Sequence, residues 1–138
     1  MMEVYFEGGG QTLAFTPDGS HGPRYVSKMG MAQLSRKLNL PVIWISAGAR
    51  PAFRIPVWDR FLFPLPFSRA VVYWGEPIDP EKHAHLSLPE YRDLLDDHGR
   101  AAMLAVDEAV GNVDPVDQAV LQESRARIEE ERNSGRLC

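Results

Sequence analysis

Cysteine is nearly absent from this chain. One stands among 138 residues, at the last position, so no intrachain disulfide can form and a reducing compartment is the natural reading. Cationic excess is absent as well. Fifteen Lys and Arg face 19 Asp and Glu, a net charge of −4, and nucleic-acid binders need a basic face. Apolar runs of the roughly 20 residues that cross a bilayer are missing. No basic stretch followed by an apolar one opens the chain as a secretion signal does. A cytoplasmic location follows, with any membrane contact peripheral, on the inner face of the cell membrane. Phosphate-loop and dinucleotide fingerprints are absent too. His83 and His85 alternate as metal ligands sometimes do, but no Cys or third His lies at ligand spacing, so neither a metal nor a bound cofactor is expected.

Proline and glycine, by contrast, are plentiful: eleven of each, most of them before residue 90. Hydrophobic residues at 44% and charged ones at 25% suit a globular domain, and the length suffices for one core. Gln11–Phe15 reads as a short strand. Met31, Leu34 and Leu38 recur at helical spacing, Asn39 suits a left-handed C-cap, and Pro41 forbids continuation. Val42–Ile45 then runs apolar without alternation, as a strand covered on both faces does. Residues 11–47 thus predict a β-α-β unit with a right-handed crossover.

Ala49–Ser68 holds Pro51, Pro56, Pro64 and Pro66 among many aromatics. The prolines exclude a long helix or a central strand and predict an irregular loop over the sheet edge. A sharper reading of the same stretch is a membrane-interface patch, with Trp58, Phe61 and Phe63 set among Arg50, Arg54, Arg60 and Arg69. Arg69–Trp74 reads as a further strand. Ser87-Leu88-Pro89-Glu90 is a capping box. It opens a helix with the stripe Tyr91, Leu94, Leu95, Ala102, Ala105, Val106 and Ala109, closed at Gly111-Asn112, with His98 a satisfied residue on its apolar face. Asp114-Pro115 predicts the start of a last, solvated helix in which Glu123 and Arg127 pair. The fold class is therefore α/β, a partial sheet with a β-α-β unit followed by two C-terminal helices. Residues 1–112 form the α/β domain and 113–138 a charged helix and tail.

Between the first strand and first helix lies Thr16-Pro17-Asp18-Gly19-Ser20-His21-Gly22-Pro23-Arg24. Ligands of α/β sheets sit at such strand-to-helix loops, and glycines let successive amides point at one spot as an anion nest. Arg24 and Lys28 add charge beside it. The plainer reading is a tight turn with Asp18 as a local cap.

This loop resembles the third sequence block of the lysophospholipid acyltransferase superfamily, which in most members reads Phe-Pro-Glu-Gly-Thr-Arg-Ser. A bacterial branch of uncharacterised function writes it Thr-Pro-Asp-Gly-Pro-Arg-Gly-Pro, closer still. The resemblance continues through Leu40–Ser46, Trp58–Phe61, Pro66–Arg69 and Gly75–Ile78, and so covers residues 8–80. It implies acyl transfer from acyl-CoA or acyl carrier protein to a lipid hydroxyl. Thr16, Pro17, Asp18, Gly19, Ser20, His21, Gly22 and Arg24 would then be the substrate-binding residues, lining the acceptor site.

Two departures qualify it. The family's loop arginine is His21 here, and an imidazole loses its charge near neutral pH where a guanidinium keeps it. The family's base–orienter pair, a His and an Asp with four residues between them, is also missing. His21, His83 and His98 are followed at that distance by Val26, Leu88 and Met103, and the Glu90 that follows His85 is occupied by the cap. The resemblance thus implies the carboxyl-terminal part of such an enzyme, inactive by itself. The alternative is a non-catalytic module for a membrane or a phospholipid anion, and a partial sheet also predicts self-association through an uncovered edge.

Overall fold

The computed structural model describes residues 12–14, 16–19 and 21–134, in the order α1 (Met29–Leu38), β1 (Ile45–Arg54), β2 (Leu62–Trp74), α2 (Leu88–Val110) and α3 (Gln118–Asn133). The mixed α/β class and the two C-terminal helices stand as expected. α1 ends where its sequence says, with Asn39 in the left-handed region at φ 52°. It buries Met31, Ala32 and Ser35. α2 opens on the expected box: the Ser87 amide donates to Glu90 Oε2 at 2.7 Å, and the Glu90 amide donates back to Ser87 Oγ. It closes on Gly111 at φ 67°.

Three expectations are corrected. The strand expected over Gln11–Phe15 lies partly outside the described residues, and 12–14 are irregular. Val42 makes only an isolated antiparallel bridge to Ile78, so no parallel crossover forms among the described residues. Ala49–Ser68 is no loop either. It forms much of a long antiparallel hairpin, Ile45 opposite Trp74 through Arg54 opposite Leu62. The prolines are tolerated because each strand of a two-stranded ladder is an edge, where a missing N–H faces away from the partner. Pro51 drops out at a register shift between Arg50 and Ala52, opposite the excursion Leu65–Ser68. Third, α3 begins at Gln118, three residues past Pro115. Asp114 still caps the turn before it, accepting from the Val116 amide at 3.1 Å.

The core joins α1, α2 and α3: Met31, Ala32, Ile78, Tyr91, Leu94, Leu95 and Ile128, with Trp44 and Leu86 packed against it. Ser35 Oγ and Tyr91 Oη, 3.0 Å apart, satisfy each other inside it. On α2 the buried stripe runs through Leu104 and Val110 as well, while Ala109 is exposed. His98 lies half-buried there, but its Nε2 has no hydrogen-bond partner among the described residues, contrary to the satisfied residue expected.

Burial, then the nearby His83, hold the His98 imidazole below its ordinary pKa. A group so depressed charges more readily when unfolded, so the folded state loses stability as the pH falls below about 6.5. Thermal melts between about pH 7.5 and 5.5 should show that loss, and His98→Leu should flatten the slope. An unchanged slope would place the titration elsewhere.

Candidate functional site

The loop keeps its turn, and several of its backbone groups bond to its own residues and to Lys28. Gly19 (φ 73°) and Gly22 (φ 67°) are both in the left-handed region. The Gly19 amide turns back to the Thr16 carbonyl, and the Lys28 amide closes the loop onto the Pro17 carbonyl at 2.8 Å. Lys28 Nζ donates to the Gly22 carbonyl at 2.7 Å. The following segment is tied to α2. Both Asp96 carboxylate oxygens accept from the Ser27 amide, and Arg100 donates twice to the Tyr25 carbonyl.

Between this loop, the hairpin and α2 opens a cleft of about 420 Å³. Ala47, Leu62, Pro64 and Met103 give it apolar walls, and Asp18, Arg24, Tyr25, Arg54 and Arg60 bring polar ones. Its arginines are matched. Arg60 Nε donates to Asp114 at 2.6 Å, Arg54 bridges Asp107 (3.1 Å) and Asp114 (3.3 Å), and Arg24 pairs with Asp117 while lying over the Tyr25 ring. Asp114 is 2% exposed. Burial alone would raise its pKa, but the Arg60 hydrogen bond and the Val116 amide more than offset that and hold it below the usual carboxylate range. For Asp107 burial wins over Arg54, and its pKa rises. Burial also raises the Tyr25 phenol, whose hydroxyl has no hydrogen-bond partner among the described residues.

Of the residues expected to bind substrate, Asp18 and Arg24 line the cleft. Pro17 and Gly19 are half-buried beside them, while Thr16 and His21 are exposed. Gly22 lies away from the cleft lining, under the ring of Trp58. Ser20 lies outside the described residues. No histidine lines the cleft. His83 is buried with Nδ1 2.9 Å from the Asp79 carbonyl, whereas His85 is exposed.

Among the residues expected to meet a membrane, Trp58, Phe61 and Phe63 are 44%, 55% and 47% exposed. The arginines assigned to lipid headgroups differ: Arg54 and Arg60 turn inward to the aspartates, and Arg50 donates to the Gly111 carbonyl. Sequence reasoning missed the aspartates. The available signal was Asp107 on the apolar stripe beside Val106, because a carboxylate buried on a helix face requires a cation from elsewhere.

No protein-family model and no solved structure matches the chain. An uncharacterised protein of Rickettsia prowazekii (strain Madrid E) is 30% identical over 69 residues, 50% of this chain and 32% of that protein. The match thus spans about a third of that relative's length.

Proposed function

We propose that this chain carries the acceptor side of a lysophospholipid acyltransferase-like site and transfers no acyl group by itself. The observation that supports the reading is the seating of Asp18 and Arg24, from the resembling loop, on a cleft with no histidine in its lining. Acyl transfer to a hydroxyl needs a base held by an orienting carboxylate. In this reading the lipid hydroxyl enters the cleft beside Asp18, its apolar part against Leu62, Pro64 and Met103, and the thioester donor is acyl-CoA or acyl carrier protein. The protein works in the cytoplasm, peripheral to the membrane.

Arg24, Arg54, Arg60 and Lys28 are engaged by protein acceptors, so an anionic headgroup is held weakly. An arginine at the exposed position 21 restores a fixed cation. His21→Arg should tighten binding of inorganic phosphate or a lysophospholipid about fivefold at mildly alkaline pH, as one charge-assisted contact does. Calorimetric titration reads this. Unchanged affinity in both proteins would remove the loop from the site, and sustained product from acyl-CoA and lysophospholipid would refute the inactivity.

A second reading, a non-catalytic membrane-binding module, is favoured by the exposed Val57, Trp58 and Phe61 at the hairpin turn. Co-sedimentation with anionic vesicles should then be lost when Trp58 and Phe61 are both replaced by alanine. Failure of the native chain to sediment with vesicles would discard this reading and leave the first untouched.

A further inference from the structure

The hairpin carries a surface that neither reading uses. Along β1, Gly48 meets Val106, Arg54 reaches Asp107 and Arg50 reaches the Gly111 carbonyl, so even-numbered positions face α2. Strand alternation sends the odd-numbered positions to the opposite face. There the register sets Ile45 beside Trp74 and Phe53 beside Phe63, with Val72 two residues before Trp74. Among the described elements α2 is the only helix that touches either strand; mid-strand Ala49 is buried at 4% exposed, but both ends of the second face are open. Ile45, Val72 and Trp74 are 53%, 57% and 68% exposed, and the Phe53 and Phe63 rings lie 5.2 Å apart. No charged side chain belongs to these pairs.

We propose that this face is a two-fold interface on which a second copy of the chain packs, sheet against sheet. Its area fits. The exposed fractions of Ile45, Phe53, Phe63, Val72 and Trp74 amount to on the order of 600 Å² of surface per copy, at the top of the 300–600 Å² range of the largest patch on a monomer and approaching the 800 Å² a partner gives a standard interface. Its lack of charge lets two identical faces meet without like-charge repulsion, as a two-fold contact requires. The same lack argues against lipid, because interfacial patches hold headgroups with Lys and Arg, and here Arg54 and Arg60 are spent on aspartates on the other side. Edge-to-edge pairing is hindered along the first half of β2, where Pro64 and Pro66 supply no N–H.

Sedimentation equilibrium of the full chain at micromolar concentration tests this. The native chain should be a dimer. Val72→Lys and Trp74→Glu, each at an exposed site, should raise the dissociation constant a hundredfold or more with the far-ultraviolet circular dichroism unchanged. Val116→Lys, an exposed apolar residue off this face, should leave the dimer intact. Should a face variant lose its fold, Ala70→Cys in a Cys138→Ser background gives a second reading, because a mid-face thiol should form an intermolecular disulfide in the folded protein. A native monomer overturns the proposal. So does a dimer indifferent to both face substitutions, or a monomer whose vesicle binding is abolished by Trp74→Glu.

Discussion

Replacing Asp114 with alanine should cost about 3 kcal/mol of folding stability, read by urea denaturation. Removing one member of a buried ionic cluster leaves the others charged and dry, at 3–5 kcal/mol in typical cases. Arg54 keeps Asp107 and Arg24 keeps Asp117, which places the expected loss at the low end. Arg60 loses its carboxylate partner, but its side chain is 36% exposed, so water compensates in part. Asp117→Ala, at a less buried site, should cost less than half as much.

The pH dependence has a definite sign. The Asp114 pKa is depressed, so its stabilisation is present above the ordinary carboxylate value of about 4 and is lost as the pH falls through the lower native value. The gap between native and variant should therefore close in acid. The raised pKa values of Asp96 and Asp107 act the other way, since native protonation there relieves a buried charge. A loss under about 1 kcal/mol at neutral pH would mean that the arginines are held independently of Asp114.

Gly22→Ala should cost about 2–3 kcal/mol and abolish ligand binding at the loop. Its backbone sits at φ 67°, a region that costs an ordinary residue about 1–2 kcal/mol. A Cβ there would also come within 2.7 Å of the Trp58 ring, which must be displaced from the loop. A double-mutant cycle with Trp58→Ala separates the contributions. The steric part should vanish in the Trp58→Ala background and the backbone part should persist. Equal costs in both backgrounds would show that Trp58 moves away freely. An unaffected ligand affinity would detach the loop's shape from the site.

The elements that were legible from the sequence are those decided by neighbours along the chain. Ser87 and Glu90 satisfy each other three residues apart, Asn39 and Gly111 take the left-handed position that ends their helices, and Glu123 reaches Arg127 across one turn. The apolar run Val42–Ile45 carries the pattern of a strand covered on both faces, and Arg69–Trp74 that of a further strand. Pattern alone does not say whether the cover is present, and here both ends of the hairpin's second face are open.

The site was less legible. That the loop turns at Gly19 and Gly22 is written in the residues. That Lys28 and Arg24 serve Gly22 and Asp117 rather than an anion depends on which groups the fold brings within reach.

By itself the sequence determined the existence of three helices, the C-cap of α1, both caps of α2 and the turn of the loop, because each rests on hydrogen bonds only a few residues apart. The tertiary structure alone decided that the proline-rich stretch pairs as a hairpin, since a missing N–H matters only where a partner strand would need it. It also decided that Arg24, Arg54 and Arg60 turn inward, because three aspartates from α2 and the turn before α3 would otherwise lie in or near the interior with their charge unmatched.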